Sequence, residues 1–365
     1  MRKQTFLSFI TLAIFGVVGP AQAIETSVGS LNVAKVVDNL DQPWAIEFLP
    51  SKAMLITERE GEVVLIGADG NRRMLSGVPD VVAKGQGGLL DVMVPRDFAT
   101  SSEIFFSAAI KQGNGSGTAL IRAKLDEQAA TLSNIEVVFQ QTKGFSAAKH
   151  FGSRLVEARD GSIFMTIGER GTRPAAQDLT NHNGTVVRVL RSGAVPSDNP
   201  FVGHQDARPE IYSYGHRNPQ GAALDLKGDL WINEHGARGG DEVNKINPGA
   251  NYGWPAISYG THYSGAKIGQ GTAAPKMEQP AYYWDPSIAP SGMMIYSGKL
   301  WPEWKGDIFV GSLKFDYISR LEGGTFSEEK LTSSETGRVR DIVEGPEGAI
   351  YFLSINDGAL YQITP

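Results

Sequence analysis

His150 is the side chain in this sequence best suited to move a proton near neutral pH. It lies in the segment Lys149-His-Phe-Gly-Ser-Arg-Leu, between a polar loop and the start of an apolar stretch. Because imidazole titrates close to pH 7, His150 is a candidate general base. The alternative from the residue types is a structural histidine that bonds to a neighbouring loop.

Four cations occupy similar positions, each close to a short apolar stretch. If those stretches are strands that meet around one axis, the cations would form a positive pocket in an otherwise acidic protein. Such a pocket suits an anion with several carboxylates or phosphates. The spacing of Arg338 and Arg340 puts both on one face of a strand, although an exposed basic face is the simpler alternative. The four are Arg217, Lys314, Arg338 and Arg340.

A third group of residues suggests a metal. The run Asn233-Glu-His-Gly-Ala-Arg-Gly-Gly-Asp-Glu sets the carboxylates of Asp241 and Glu242 beside a glycine-rich bend. Carbonyl and carboxylate oxygens favour Ca²⁺, whereas Zn²⁺ would require more His or Cys. A solvated hairpin turn is the alternative. Nearby, the aromatic group Tyr282-Tyr-Trp284, together with Trp254, suits either packing between elements or stacking on a flat ligand or sugar.

The elements that must position these residues repeat along the chain. Six times, a short apolar strand is followed by a polar or glycine-rich break and a second alternating strand. With 43 Gly and 19 Pro among 365 residues, many tight turns are expected. The pattern predicts an all-β, six-bladed β-propeller of four-stranded antiparallel blades, with the N-terminal strand 32–37 closing the last blade. The repeats begin at Met54, Ile104, Ile163, Leu230, Ile308 and Ile350.

Composition limits the function classes. Residues 1–23 read as a secretory signal, with Arg2 and Lys3 before an apolar run and Ala21-Gln22-Ala23 as the cleavage site, which leaves residues 24–365 as one propeller domain. Loss of the two basic residues would take the formal net charge from −6 to about −8, which argues against nucleic-acid binding. The absence of Cys excludes disulfides and thiolate chemistry. We expect a periplasmic or secreted protein with no membrane span, as a monomer or weak dimer.

Eight segments, in order along nearly the whole mature chain, resemble the soluble glucose and aldose sugar dehydrogenases that depend on pyrroloquinoline quinone (PQQ). The likeness is greatest to the periplasmic aldose sugar dehydrogenases of bacteria. These segments are Gln42-Pro-Trp-Ala, Gly85-Gln-Gly-Gly-Leu-Leu, His150-Phe-Gly-Ser-Arg-Leu, Gly215-His-Arg-Asn-Pro-Gln-Gly, Asn233-Glu-His-Gly-Ala-Arg-Gly-Gly-Asp-Glu, Asn251-Tyr-Gly-Trp-Pro, Ser312-Leu-Lys and Arg338-Val-Arg-Asp.

The resemblance implies a role for each matching residue. His150 would take the proton of the anomeric hydroxyl of an aldose while hydride moves to the quinone. The quinone oxygens would be bordered by Gln86, Arg217 and Asn218, and the carboxylates of the cofactor would be held by Lys314, Arg338 and Arg340. A calcium ion at the quinone would bind the carbonyls of Gly236 and Ala237. A further, structural calcium would involve Glu242 and Tyr252, and the sugar would meet Glu169 and Trp284.

The sequence also departs from the glucose-specialised members of the family. It has His235-Gly-Ala where they have Gln-Gly-Pro, and Glu169-Arg170 where they have an acid and a glutamine. The sugar-binding edge is therefore altered, and the preferred aldose stays open, as does the external electron acceptor. Two other functions remain as alternatives. A calcium-dependent propeller lactonase would hold a metal with side chains at the channel centre. A non-catalytic propeller that binds a carbohydrate or protein would not need His150 or Arg217.

Overall fold

The computed structural model describes residues 22–142 and 144–365, which form six antiparallel sheets arranged as blades. The predicted six-bladed propeller of four-stranded blades is confirmed. The strands of blades one to three are β3 (Pro43–Phe48), β4 (Met54–Glu58), β5 (Glu62–Ile66), β6 (Arg72–Met74); β7 (Leu89–Met93), β8 (Glu103–Gln112), β9 (Gly115–Asp126), β10 (Thr131–Gln140); and β11 (Leu155–Glu157), β12 (Ile163–Ile167), β13 (Thr185–Val189), β14 (Ile211–Tyr214).

The second half of the chain repeats this plan, and blade six also takes the first two strands of the described chain. Its sheet has five strands, in the order β1-β2-β25-β24-β23. The strands are β15 (Pro219–Leu224), β16 (Leu230–Glu234), β17 (Asp241–Lys245), β18 (Tyr282–Trp284); β19 (Pro290–Ile295), β20 (Ile308–Ser312), β21 (Ile318–Leu321), β22 (Glu328–Leu331); and β23 (Val339–Glu344), β24 (Ile350–Ser354), β25 (Ala359–Thr364), β2 (Gly29–Val37), β1 (Gln22–Thr26).

Helix is almost absent from the described residues. It is confined to one α-turn, α1 (Phe98–Ser101), and two 3₁₀ segments, Arg173–Gln177 and Pro302–Trp304. No helix within residues 22–142 and 144–365 has the length and apolar character needed to cross a bilayer. Residues 1–21 lie outside the described residues, and with them most of the predicted signal segment. The predicted cleavage position after Ala23 falls within β1.

The N-terminal closure predicted from the sequence is confirmed. β2 pairs antiparallel with β25, with Asn32 opposite Thr364 and Ala34 opposite Gln362. Leu31, Val33 and Val37 are buried, whereas Asn32 and residues 34–36 are exposed, as expected of a strand that covers a core with one face. β1 adds a fifth strand that the sequence pattern did not indicate. The chain ends therefore hold the ring together through backbone hydrogen bonds.

Apolar side chains fill the spaces between adjacent blades. Between blades one and two, Leu55 and Leu65 pack with Leu90, Phe106 and Ile121, all of them buried. The first strands of neighbouring blades contact one another around the ring, in the order β3, β7, β11, β15, β19 and β23. Because each blade begins at its innermost strand, the segments that enter these six strands lie at the same rim of the central channel.

Candidate active site

A cavity of about 1050 Å³ opens at the rim where the inner strands begin. Its lining comes mainly from the segments just before β7, β11, β15, β19 and β23, and from the ends of β16 and β20. Nine of the thirteen residues proposed for chemistry line this one cavity, although they come from five different blades. They are Gln86, His150, Arg217, Asn218, Gly236, Ala237, Lys314, Arg338 and Arg340.

His150 is held in a defined orientation at the cavity wall. Its Nδ1 lies 2.6 Å from Glu169 Oε1, and its backbone N–H donates to Gln86 Oε1 at 2.6 Å. Because the carboxylate of Glu169 can only accept, Nδ1 carries the proton and Nε2 is the basic nitrogen. Burial lowers the pKa of His150 below its ordinary value, opposed by the hydrogen bond to Glu169 and reinforced by the charge of Arg217. The imidazole is therefore neutral and basic at pH 7.

The backbone around His150 is strained and depends on two glycines. His150 itself has a φ of +55°, a left-handed conformation that non-glycine residues adopt at a cost. A Cβ at Gly168 would lie 2.1 Å from the His150 carbonyl oxygen, and one at Gly85 would lie 2.3 Å from the Ala148 oxygen. Only glycine permits these close approaches. The loop that carries His150 is therefore pressed between the segment carrying Gln86 and the end of β12.

Arg217 is held from behind by the end of β16. Its backbone N–H donates to Glu234 Oε2 at 2.7 Å, and its Nη1 donates to the His235 carbonyl at 3.2 Å. The guanidinium lies over the ring of Trp254, 5.3 Å from its centroid. Its Nε is buried and has no hydrogen-bond partner among the described residues. Burial lowers the pKa of Arg217. An anionic or strongly polar partner would satisfy the unpaired Nε.

Five further cations line this cavity, and within the described residues only one of them, Arg59, pairs with a carboxylate. Arg338 donates to the Leu313 carbonyl at 2.9 Å, and Arg340 donates to Gln220 Oε1 at 3.0 Å. Burial and the adjacent charges of Arg338 and Arg154 lower the pKa of Arg340 to about 9. Lys314, on the same wall, is exposed. Cations crowded in this way favour a ligand with several negative charges.

Comparison with known proteins agrees with this geometry. The profile of the family described as "Glucose / Sorbosone dehydrogenase" matches residues 40–362. The chain belongs to this family. It is 41% identical, over the full length of both chains, to the aldose sugar dehydrogenase YliI of Escherichia coli. It is 24% identical to quinoprotein glucose dehydrogenase B of Acinetobacter calcoaceticus, over 95% of this chain and 90% of that one. A crystal structure of a glucose dehydrogenase superposes with a TM-score of 0.89 at 42% identity, covering 92% of this chain and 99% of that one.

This sugar dehydrogenase has a second histidine in the cavity, but its geometry differs from that of His150. His235 Nε2 lies 2.8 Å from the Pro290 carbonyl oxygen, which can only accept, so Nε2 carries the proton. Burial lowers the pKa of His235 to about 4. His235 thus serves as a neutral donor to the backbone. The pairing with Glu169 sets His150 apart as the candidate base.

Glu169 and Trp284, expected at the sugar, do not line the cavity that contains His150, the candidate catalytic cavity. Glu169 is only 1% exposed and lies behind His150, so its contact is with the imidazole. The indole of Trp284 is buried, and its Nε1 donates to Glu328 Oε1 at 2.9 Å. Trp284 lines a neighbouring groove, while the next residue, Asp285, lines both spaces.

Several cavity residues were not singled out by sequence reasoning. Trp44 forms part of the wall, with Arg154 stacked 4.6 Å and Arg340 5.6 Å from its ring centroid. Gln220 and Asp285 also face the cavity. A signal for Trp44 and Gln220 was available, since both belong to segments that carry the family resemblance. Asp285 follows the aromatic group Tyr282-Tyr-Trp284 and had no comparable signal.

Gly236 and Ala237 lie at the cavity wall, at the bend that follows β16. The Gly236 N–H donates to Asp241 Oδ1 at 2.7 Å, which orients the bend. Within residues 22–142 and 144–365, no group of three or more His, Cys, Asp and Glu side chains is arranged to hold a metal ion. A calcium ion in this cavity would therefore rely on backbone carbonyls, water and oxygens of a bound cofactor.

Glu242 and Tyr252 line a separate, much smaller space behind Arg217. Its volume is about 10 Å³, which is roughly the space of one water-sized sphere. Glu242 Oε2 and Glu234 Oε1 both accept from Asn244 Nδ2, at 3.1 and 3.3 Å. Burial and the neighbouring Glu234 raise the pKa of Glu242 to about 8. The phenol of Tyr252 donates to the Lys245 carbonyl and accepts from the Asn247 N–H, so its oxygen is already engaged. A cation would relieve the repulsion between these carboxylates.

Proposed function

We propose that this protein oxidises aldose sugars at the anomeric carbon to lactones, with PQQ and calcium as cofactors. The observation that carries the proposal is that His150, whose Nδ1 is hydrogen-bonded to Glu169, lines the same cavity as the cations Arg217, Lys314, Arg338 and Arg340. Family membership supplies the reaction class, and the word quinoprotein in the name of the Acinetobacter relative supports the cofactor.

The cavity has the chemistry that PQQ requires, because PQQ is a planar quinone that carries three carboxylates. The exposed ammonium of Lys314 and the guanidiniums of Arg338 and Arg340 would hold those carboxylates. Gln86, Asn218 and the unpaired Nε of Arg217 would face the quinone oxygens. When bound, PQQ supplies a two-electron acceptor for the hydride that leaves C1 of the sugar.

The proton transfer belongs to His150. Nε2 accepts the proton of the anomeric hydroxyl, which lets electron density move onto C1 and the hydride depart. Glu169, on Nδ1, fixes the tautomer and stabilises the imidazolium that forms. Arg217, whose charge lowers the pKa of His150, would stabilise the negative charge that develops on the hydride acceptor.

Calcium would have two places in this scheme. The carbonyls of Gly236 and Ala237 would hold one ion, which would supply Lewis-acid chemistry to the bound cofactor. Glu242, with the backbone of Tyr252, would hold a second ion that stabilises the bend after β16. The first site needs the cofactor to complete its ligands, whereas the second is built from the protein.

We further propose that the chain is exported by residues 1–23 and works as a monomer or weak dimer in the periplasm or outside the cell. Electrons would then pass to an external acceptor. The sequence of the signal segment supports export, with two basic residues, an apolar run and a small-residue cleavage site.

The test is dye-linked oxidation of a panel of aldoses by the purified mature protein, with and without PQQ and Ca²⁺. Activity that requires both cofactors is the expected result. In the variant Arg338→Ala/Arg340→Ala, half-maximal activation should need at least about tenfold more PQQ, because two charge-assisted contacts are lost. The control Lys227→Ala/Lys305→Ala removes the same charge from exposed positions outside the cavity and should change nothing.

The alternatives predict other outcomes. Lactone hydrolysis that needs calcium but no quinone would indicate a propeller lactonase. The absence of any metal-holding side-chain cluster in the described ranges speaks against that enzyme. Sugar or protein binding that survives replacement of both His150 and Arg217, without any turnover, would indicate a non-catalytic propeller.

A further inference from the structure

A second concave surface lies beside the catalytic cavity, between the outer strands of blades four and five. Its volume is about 890 Å³. Residues of β18 (Tyr282–Trp284) form one side, and Glu328 and Lys330 of β22 form the other. Asp285 and Pro286 line both this groove and the catalytic cavity. The two spaces therefore meet at these residues.

Two aromatic side chains that line the groove are exposed to solvent. Tyr283 is 45% exposed and Phe315 is 37% exposed. Tyr283 stacks on Tyr259 with 4.2 Å between ring centroids, so the two rings form a double layer. On the other side, Phe315 lies parallel to Tyr317. Exposed apolar area gathered in one concavity marks a binding surface, because it is costly to hydrate.

Polar groups held in place accompany these rings. Glu328 Oε1 accepts from Trp284 Nε1 at 2.9 Å and from Ser319 Oγ at 2.7 Å, which orients the carboxylate. Its Oε2 lies 3.8 Å from Lys330 Nζ, and that ammonium lies over the ring of Tyr317. The groove thus combines flat apolar faces with oriented hydrogen-bonding groups. A pyranose ring complements this combination, because its C–H faces can pack on the aromatic rings and its hydroxyls can bond to the polar groups.

We infer that this aromatic groove, formed by Tyr259, Tyr282, Tyr283, Phe315, Tyr317 and Glu328, binds the second and third sugar units of an oligosaccharide whose reducing end lies at His150. The inference rests on the proposed function, since it takes the reducing-end aldose to be the substrate. The shared residues Asp285 and Pro286 carry the continuity between the two sites. A concavity of this volume suits a few sugar rings, whereas a protein partner would require a broad face of about 800 Å².

Steady-state kinetics with glucose, maltotriose and cellotriose test the inference. Tyr283→Ala should raise KM for the better trisaccharide about tenfold, with glucose kinetics unchanged within about twofold, because only the longer substrate reaches the ring. Tyr283→Phe keeps the ring and should behave as the parent. Leu226→Ala removes an exposed apolar side chain outside the groove and is the matched control.

A binding measurement separates this inference from the proposed function. The methyl glycosides of maltotriose and cellotriose have no anomeric hydroxyl and cannot be oxidised. Calorimetric titration should show at least one of them binding to the parent protein and to Tyr283→Phe, with affinity lost in Tyr283→Ala. If this binding is found but no aldose is oxidised, the groove stands as a sugar site while the catalytic proposal fails.

Two outcomes would overturn the inference. One is oxidation of glucose with no binding of either methyl trisaccharide and no effect of Tyr283→Ala on trisaccharide KM. The other is a Tyr283→Ala variant that leaves every sugar parameter unchanged but raises KM for a protein electron acceptor, which would make the groove a docking face.

Discussion

At the residue scale, the site depends on which histidine has an unprotonated ring nitrogen that can accept a proton from the substrate. His150 and His235 line the same cavity, yet only His150 has its Nδ1 bound by a carboxylate. His235 donates a hydrogen bond from its Nε2–H to the Pro290 carbonyl oxygen. The hydrogen bond to Glu169 and the burial of the ring act in opposite directions on the pKa of His150, and burial is the larger effect.

Replacement of the base should separate chemistry from binding. In His150→Ala, turnover should fall at least about 100-fold with PQQ affinity retained, because a general base contributes about that much or more. Single-turnover kinetics and cofactor titration check the two parts. The exposed His204→Ala is the control and should be unaffected. Turnover near the parent level would remove His150 from the mechanism.

Replacement of Glu169 should shift a pH profile. The parent kcat/KM should rise as His150 loses its proton, through a pKa below 6.5, and level off toward neutral pH. Glu169 raises that pKa, so Glu169→Gln should move the rising limb to lower pH and reduce the plateau. A merely structural role for Glu169 would leave the limb in place.

Another histidine–carboxylate pair provides the matched control for this profile. His182 Nε2 lies 3.3 Å from Glu210 Oε2, and neither residue lines the catalytic cavity. Glu210→Gln should therefore leave the pH limb of kcat/KM where it is in the parent. If the rising limb shifted equally in both variants, the cause would be the change in net charge and not the contact of Glu169 with His150.

At the element scale, one geometric rule assembles the site. The six inner strands run side by side around the channel, so the segments before them converge at one rim. Residues as distant in sequence as Gln86 and Arg340 therefore line one cavity. The rule requires a closed ring, and β2 supplies the closure by pairing with β25.

Weakening this closure should cost global stability. Leu31, on the buried face of β2, is 2% exposed, so Leu31→Ala should lower the free energy of unfolding by about 2–5 kcal/mol. Val36, on the same strand, is 40% exposed, and Val36→Ala should cost less than about 0.5 kcal/mol. Guanidinium denaturation of the two variants provides the comparison. Equal midpoints would mean that β2 does not hold blade six.

At the scale of the whole molecule, positive charge is concentrated in the catalytic cavity although the protein as a whole is acidic. The formal net charge is −6, yet six Arg and Lys residues line the catalytic cavity. Behind these cations, Glu234 and Glu242 concentrate negative charge, because both line the same small space of about 10 Å³. Both arrangements are costly alone and would become favourable with a ligand of opposite charge, the proposed quinone carboxylates in one case and the proposed calcium ion in the other.

Removal of calcium should affect the whole fold as well as the reaction. Chelation should abolish activity and lower the melting temperature by a few degrees, because an ion bound only to the native state stabilises it. Readdition of Ca²⁺ should restore both. Glu242→Gln should melt lower than the parent and respond less to the chelator. A melting curve that the chelator leaves unaltered would argue against the structural ion.

The sequence by itself determined the architecture. Strand pairs recur with alternating apolar residues, and each must bury one face, so the number of blades and the closing role of strand 32–37 could be predicted. The same local logic marked Arg338 and Arg340 as sharing a strand face. The segments that carry the family resemblance also contain most of the residues that line the cavity, because close packing and tight turns there require recognisable short motifs.

The tertiary structure alone decided contacts between distant segments. It placed Glu169 behind His150, outside the lining of the catalytic cavity and in contact with the imidazole. It moved Trp284 out of the catalytic cavity and put Asp285 at the junction of two spaces. Neither result follows from spacing, because the direction of a side chain in a loop depends on the neighbouring blades that pack against it.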